Sequence, residues 1–152
     1  MRRSAGLLLW RRVDGARQVL LGHPGGPLFA RRDEGVWSIP KGEHGPGEVP
    51  LDAAYREFTE ETGLAPPAGE PVALGEVRLR SGKVVTAWAV EGDLDVTQVR
   101  SGPFEMTWPP RSGRVQSFPE LDRAAWFDLD TARSKLTPGQ VPLLDRFAAL
   151  PS

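Results

Sequence analysis

The chain begins with two short apolar runs whose composition is typical of β-strands. They cover residues 4–10 and 18–22, and the Asp-Gly pair at 14–15 between them is a strong signal for a tight hairpin turn. We therefore predict a β-hairpin at the start of the chain. The turn-rich segment 23–35 is predicted to be a long loop, and residues 37–39 a short extended piece.

One amphipathic helix is predicted over residues 50–62. Pro50 is favoured in the first turn, where its missing N–H costs no hydrogen bond, and Gly63 is a typical helix end. At about 100° per residue, four side chains form one apolar stripe: Leu51, Ala54, Tyr55 and Phe58. The helix is therefore expected to pack against the strands through this stripe.

The second half of the chain returns to strands and closes on helices. The predicted elements are a hairpin of strands 72–80 and 83–91, a long loop over 101–119, a strand over 123–127, and helices that begin at Asp128 and at Thr137, the latter with a capping box to Gln140. Strands on both sides of a central helix indicate an α/β fold with a mixed sheet covered by helices. No repeat or long linker divides residues 1–152, so we expect one domain.

Composition narrows the class of protein. The 152 residues contain no cysteine, which excludes a disulfide scaffold, a cysteine-ligated metal site and thiol catalysis. No apolar run approaches the roughly 18 residues of a membrane span. The formal net charge is −1, so no bulk positive charge attracts nucleic acid or an anionic membrane. We expect a cytoplasmic protein that binds neither.

Three carboxylates lie within about one turn near the end of the predicted helix. Glu57, Glu60 and Glu61 are surface neighbours because residues three and four apart face each other. They repel one another, and the helix dipole at this end also disfavours anions. Arg56, the one basic residue of the helix, cannot balance three acids alone, whereas a hard divalent cation can. A solvated acidic face is the alternative.

Residues before and after these acids complete a longer pattern with fixed spacing. Its identities are Gly42, Glu48, Arg56, Glu57, Glu60, Glu61 and Gly63. The pattern resembles the Nudix box, G-x5-E-x7-R-E-U-x-E-E-x-G-U, where U is a bulky aliphatic residue. Leu64 fits the last position, and Phe58 stands where the family prefers an aliphatic side chain. This departure concerns packing and leaves the chemistry of the pattern intact.

The resemblance to the Nudix family implies a fold and a reaction. Nudix proteins share an α/β/α sandwich with a mixed, partly curled β-sheet. They hydrolyse a nucleoside diphosphate linked to another moiety X, usually with Mg²⁺ or Mn²⁺. By this resemblance the metal ligands are Glu57, Glu60, Glu61 and the backbone carbonyl of Lys41. Arg56 is expected to orient the acids by ion pairing, and Glu48 to pair with Arg56 or to reach a second metal.

The reaction needs a carboxylate that accepts a proton from the attacking water. The resemblance offers two positions for this base: Glu57 inside the box, and a glutamate outside it, six residues before a Trp in the last strand. Glu120 lies six residues before Trp126. Glu120 is therefore a second candidate, with a solvated loop acid as the alternative, and Glu105 is a weaker one.

The residues ahead of the box indicate a substrate. Segment 37–42 reads Trp-Ser-Ile-Pro-Lys-Gly and resembles the W-x-x-P-K-G of diadenosine- and diphosphoinositol-polyphosphate hydrolases in the family. Lys41 adds a cation beside the phosphates, which favours a dinucleoside polyphosphate. Lys83 is a weaker candidate for a phosphate contact, and Trp108 is the preferred aromatic residue for stacking on a base.

Two other functions stay open at this point. One is a nucleoside triphosphate pyrophosphohydrolase that removes modified nucleotides, in which Lys41 is incidental. The other is a Nudix module that binds nucleotides without catalysis, although the intact acids and Arg56 favour an enzyme. In each case the expected partner is a small-molecule nucleotide, and the protein is expected to be a monomer or a homodimer.

Overall fold

A mixed β-sheet forms the centre of the structure, a computed structural model that describes residues 2–151. The strands of the described chain are β1 (Arg3–Val13), β2 (Ala16–Pro24), β3 (Lys41–His44), β4 (Val72–Arg78), β5 (Val84–Glu91), β6 (Pro103–Thr107), β7 (Val115–Pro119) and β8 (Leu121–Asp128). The six-stranded sheet has the order β4-β5-β1-β2-β8, and β3 pairs with β1. Among the strand pairs of this sheet in residues 2–151, the pairing of β1 with β5 is the parallel one.

Strand β1 changes its partner along its length. Residues 3–10 pair with β5 on one side, while on the other side residues 3–6 pair with β3 and residues 10–13 with β2. The start of β1 therefore brings β3 and β5 together. The predicted Asp-Gly turn joins β1 to β2, with Asp14 at φ 52° and Gly15 at φ 80°.

Helices cover both faces of the sheet. The described helices are α1 (Pro50–Thr62), α2 (Leu129–Lys135) and α3 (Val141–Ala148), with one-turn 3-10 helices at Val96–Gln98 and Pro138–Gln140. Ala54 and Phe58 of α1 pack on the face that carries Leu7, whereas α2 and α3 pack on the face that carries Leu8. The predicted α/β/α sandwich is therefore confirmed. Among residues 2–151, no helix has the length and apolar character needed to cross a membrane.

Helix α1 has the predicted bounds. It begins at Pro50 and ends where Gly63 adopts the left-handed conformation at φ 73°. The N–H of Gly63 donates to the carbonyl of Thr59 at 2.7 Å. Of the predicted apolar stripe, Ala54 and Phe58 are buried, whereas Leu51 and Tyr55 are only half-buried. Ala53 and Glu57 are buried as well, so the buried face is turned toward them relative to the prediction.

The prediction of a long loop over residues 101–119 is wrong. This segment forms the β6–β7 hairpin, which carries the aromatic pair Phe104 and Phe118 with ring centroids 6.0 Å apart. Each strand has five residues and is mostly exposed. The prolines at 103 and 119 are tolerated because both strands of a two-stranded sheet are edge strands, where a missing backbone N–H can face solvent. The first residues of the box, 42–44, lie in strand β3, which pairs with β1.

The predicted capping box at Thr137 does not form. The Thr137 side chain makes no cap hydrogen bond. Gln140 is instead buried: its side-chain oxygen accepts from the backbone N–H of Ile39 at 3.1 Å, and its amide nitrogen donates to the Ser38 hydroxyl at 2.9 Å. Gln140 therefore holds the segment that leads into β3.

Candidate active site

The guanidinium of Arg56 binds three carboxylates at once. Its Nε and one terminal nitrogen donate to the two oxygens of Glu48, at 2.8 and 2.9 Å. The other terminal nitrogen donates to Glu57 at 2.9 Å and to Glu60 at 3.0 Å. The Glu48 pair lowers the pKa of that carboxyl and raises the pKa of Arg56. Arg56 therefore joins the loop before α1 to two of the three helix acids.

The acids of α1 lie directly against β3. The Glu57 carboxylate packs on Gly42 so closely that a Cβ atom there would lie 2.0 Å from Oε2. The backbone N–H of Lys41 donates to Oε1 of Glu61 at 3.3 Å. The box glycine is thus explained by the close approach of a carboxylate, since its φ is not in the left-handed region.

Burial makes two of these acids hard to ionise. It raises the pKa of Glu61 to about 7, and the charges of Glu120 and Glu57 act in the same direction, against the N–H and the ammonium of Lys41. Burial also raises the pKa of Glu57, with the charge of Glu60 adding to the effect. Desolvated carboxylates that repel each other are stabilised by a cation.

A cleft of about 740 Å³ opens beside these acids. The residues that line it include three acids and two lysines: Glu57, Glu60, Glu61, Lys41 and Lys83. Burial lowers the pKa of Lys41, and the nearby ammonium of Lys83 lowers it further. Acidic and basic groups therefore face the same space.

Glu120 reaches this cleft from a different part of the chain. It lies between β7 and β8, where its backbone N–H donates to the carbonyl of Gly102 at 2.8 Å and its carbonyl accepts from Gly25 at 3.0 Å. Burial raises the pKa of Glu120, and the charge of Lys41 acts against this. The structure thus places both base candidates, Glu57 and Glu120, on one cleft.

The donor set at this cleft suits a hard divalent cation. Carboxylate oxygens are the ligands that Mg²⁺ and Mn²⁺ prefer. Only Oε1 of Glu57 and of Glu60 is bonded to Arg56, so each keeps a second oxygen for a cation. Within residues 2–151, however, no three acidic or histidine side chains converge into a ready-made metal site. The donor chemistry fits the metal, and the complete ligand geometry is not preformed.

Trp108 does not lie in this cleft. It stands at the tip of the β6–β7 hairpin, where its backbone N–H donates to the carbonyl of Arg114 at 2.9 Å. Only the base of the hairpin, including Pro103, lines the cleft. Stacking of Trp108 on a base stays a prediction that requires the hairpin to approach the substrate.

Two serines, Ser4 and Ser38, are among the residues of the cleft that the sequence analysis did not identify. Ser4 is a lone polar residue at the start of an apolar strand, and no motif marks it. Its position on the cleft results from the pairing of β1 with β3, two segments that are distant along the chain.

A comparison with protein families places the chain in one of them. The family model of the NUDIX domain matches residues 1–147. The chain therefore belongs to the NUDIX family, and this membership supports the enzyme class predicted from the sequence, a Nudix pyrophosphohydrolase. Enzymes of the family generally use divalent metal ions.

Curated relatives match a smaller part of the chain. An RNA pyrophosphohydrolase of Pseudomonas putida is 45% identical over 47 residues, and a homologue from Pseudomonas fluorescens matches to the same extent. This segment is 30% of the chain and 30% of each relative. The similarity therefore covers under a third of these enzymes.

Solved structures share the whole fold. The Ap4A hydrolase of C. elegans, in a binary complex, has a TM-score of 0.66 at 24% identity and covers 96% of both chains. The NUDIX domain of NrtR from Shewanella oneidensis, complexed with ADP ribose, has a TM-score of 0.61 at 17% identity, with 96% of this chain and 85% of that chain covered. These likenesses confirm the fold class.

Proposed function

We propose that the protein is a metal-dependent pyrophosphohydrolase that cleaves a nucleoside diphosphate linked to a further moiety X. One observation carries the proposal: Glu57, Glu60 and Glu61 share a cleft with Lys41 and Lys83. The hydrolysis of an anionic anhydride requires two kinds of groups: acids that bind a divalent cation, and lysines that bind phosphate. Membership of the NUDIX family supports this function.

The chemistry follows from the charge of the substrate. A pyrophosphate repels a nucleophile, so its oxygens must be neutralised while water forms the new P–O bond and the bridging P–O bond breaks. Glu57, Glu60, Glu61 and the Lys41 carbonyl are the groups that would hold Mg²⁺ or Mn²⁺, which polarises the phosphate oxygens and the water when bound. Arg56 orients two of these carboxylates. Lys41 and Lys83 contribute positive charge to the phosphates.

A carboxylate takes the proton that the attacking water loses. Glu57 and Glu120 are the two candidates, because both line the cleft, and burial raises the pKa of each carboxyl above its ordinary value. We expect kcat to fall at acidic pH as the base becomes protonated. The substitution Glu→Gln at the residue that acts as the base should remove this pH dependence, whereas the same substitution at the other residue should leave it in place.

Dinucleoside polyphosphates are the substrate that we favour. The W-x-x-P-K-G resemblance, the place of Lys41 on the cleft and the fold shared with the Ap4A hydrolase of C. elegans support this choice. A long phosphate chain carries negative charge beyond the metal-binding acids, where a lysine can meet it. We expect a tetraphosphate to be cleaved better than a triphosphate.

The similarity to RNA pyrophosphohydrolases supports a second candidate, an RNA with a terminal polyphosphate. The net charge of −1 argues against extended contacts with an RNA backbone. A triphosphate hydrolase that removes modified nucleotides is a third candidate, in which Lys41 has no special role.

The cytoplasmic location and the monomeric or dimeric state stay predictions from the sequence.

The test is a set of kcat/KM values for three kinds of substrate: diadenosine tetraphosphate, 8-oxo-dGTP and ADP-ribose. We expect the tetraphosphate to be preferred, and Lys41→Ala to lower its kcat/KM more than that of the other two. Lys135→Ala is the matched control, because it removes a lysine that pairs with Glu34 at 3.0 Å, away from the cleft. An equal loss on all three substrates would contradict the role given to Lys41.

A further inference from the structure

The His23 side chain is buried at the end of β2, and each of its ring nitrogens lies against an oxygen. It has 0% exposure. Nδ1 lies 2.9 Å from Oδ1 of Asp122 in β8, and Nε2 lies 2.6 Å from the backbone carbonyl of Arg32 in the loop after β2. A carboxylate and a carbonyl only accept hydrogen bonds, so both bonds form when both ring nitrogens carry a proton. In that form His23 and Asp122 are an ion pair that joins β2 to β8.

The pair lies where the register of the two strands changes. His23 is opposite Arg123, whereas Pro24, the next residue, is opposite Leu121. Asp122 is therefore an extra residue of β8, which is the pattern of a β-bulge. Such bulges occur beside active sites, where they change the direction of a side chain. The residue that bonds to the buried ring is thus the one that creates the shift.

The shift decides which residue lies next to Gly25 at the cleft. With it, the N–H of Gly25 donates to the carbonyl of Glu120 at 3.0 Å; without it, Leu121 would be opposite Gly25. The contact is close, since a Cβ atom at position 25 would lie 1.9 Å from the carbonyl oxygen of Pro119. The place of Glu120 on the cleft therefore depends on the bulge.

We propose that His23 and Asp122 are positioning residues for the carboxylate of Glu120. The proposal rests on the proposed function, and it gives Glu120 a part in the chemical step. The ion pair holds the bulge, and the bulge holds the start of β8 in the register that brings Glu120 to the cleft. When the pair is broken, this segment moves relative to β2 and the carboxylate loses its place. Lys41 and the acids of α1 lie on other elements, so substrate and metal binding are unaffected.

The first experiment measures kcat and KM of Asp122→Asn on diadenosine tetraphosphate at saturating Mg²⁺. We expect kcat to fall by about 10- to 100-fold, since a misplacement of about 1 Å can cost about 100-fold in rate. The KM should stay close to that of the parent. Asp93→Asn is the matched control, because it alters an exposed carboxylate that pairs with Arg11 at 2.9 Å and does not line the cleft. It should behave as the parent does.

The second experiment separates positioning from a general structural role. Asp122→Asn is combined with Glu120→Gln, and kcat is compared with that of each single variant. If Asp122 acts through Glu120, the double variant should be no slower than Glu120→Gln alone, because no carboxylate is left to position. Losses that multiply are expected of two independent effects.

His23→Gln breaks the same pair from the other side. Glutamine is uncharged and cannot reach both Asp122 and the Arg32 carbonyl as the ring does. All assays are made below the melting temperature of the least stable variant, so that a loss of stability does not count as a loss of rate. The same fall in kcat with little change in KM is expected, and again no further fall in the Glu120→Gln background.

Each result has one meaning. Asp122→Asn with the kcat of the parent, or losses that multiply in the double variant, would overturn the positioning role. Full activity of Glu120→Gln would overturn it as well, and would leave the proposed function standing with Glu57 as the base. Failure of the parent to hydrolyse any of the three substrates named above would overturn the proposed function itself.

Discussion

The carboxylate of Glu57 occupies the space that a side chain at Gly42 would need. A Cβ atom at position 42 would lie 2.0 Å from Oε2 of Glu57 and 2.1 Å from its Cδ. The glycine of the box and the second of its acids are therefore a matched pair: the absence of a side chain in β3 allows the carboxylate of α1 to reach the cleft.

Gly42→Ala should reduce activity with little effect on stability. The added methyl displaces the end of a flexible side chain and not the backbone, so the melting temperature should change by at most about 2–4 °C, the effect of roughly 1 kcal/mol in a domain of this size. Displacing a catalytic carboxylate by about 1 Å can cost about 100-fold in rate. Activity and melting curves check this. Gly45→Ala, with nothing within 4 Å of its Cβ, is the control and should match the parent.

Arg56→Lys should weaken metal binding although it keeps the charge. A lysine cannot hold both oxygens of Glu48 while it also reaches Glu57 and Glu60. Removing such an orienting contact typically costs about 10–100-fold in metal affinity. Titration of Mg²⁺ against activity measures the effect. Arg3→Lys, which alters an exposed ion pair with Glu76, is the control, and an unaltered titration curve for Arg56→Lys would contradict the orienting role.

Phe58→Ala should act on stability. Phe58 is 0% exposed and packs in the layer between α1 and the sheet. Truncation of a buried Phe typically costs about 3–5 kcal/mol, which urea unfolding can measure. Thr59→Ala, at the exposed neighbouring position, should change the free energy of unfolding by less than about 0.5 kcal/mol. Equal stabilities of the two variants would mean that the helix is oriented differently.

The metal-free protein should lose stability as the pH rises through the weakly acidic range. Glu61 has a pKa of about 7 in the folded state, raised by burial from an ordinary value of 4.5. Between these values the unfolded chain releases the proton while the folded chain keeps it, so a rise in pH favours unfolding. In the presence of a chelator, Glu61→Gln should gain melting temperature relative to the parent between about pH 5 and pH 7.5. A difference that is constant with pH would contradict the buried position of this carboxyl.

Local signals in the sequence were sufficient to predict the helix that carries the acids and the first hairpin turn. Pro50 and Gly63 mark the ends of α1, and the Asp-Gly pair at 14–15 marks the first turn, because these residues have conformational preferences that act without tertiary contacts. The spacing of Arg56 and its neighbouring acids then follows from helix geometry. The assignment of the box rests on the resemblance of its identities and their spacing to the Nudix pattern.

Features that depend on distant contacts could not be predicted in this way. In the β6–β7 hairpin, alternation between exposed and half-buried residues is confined to Phe104 and Met106 of β6, while β7 is exposed except for Phe118, so the signal for half-buried strands is weak. Gln140 stands at the end of a typical capping pattern, yet its side-chain oxygen accepts a hydrogen bond from the backbone N–H of Ile39, which is 101 residues away along the chain. Ser4 has no signal of its own, since its place on the cleft depends on β3 and β5.

The most direct test of the central claim is the hydrolysis of diadenosine tetraphosphate by the parent and by Glu61→Gln, with products separated and quantified. The account predicts no hydrolysis after complete chelation, recovery on addition of Mg²⁺ or Mn²⁺, and a rate for Glu61→Gln about 10²–10⁴-fold below that of the parent at saturating metal. Hydrolysis by the parent that survives chelation, or a loss below about tenfold in Glu61→Gln, would contradict it.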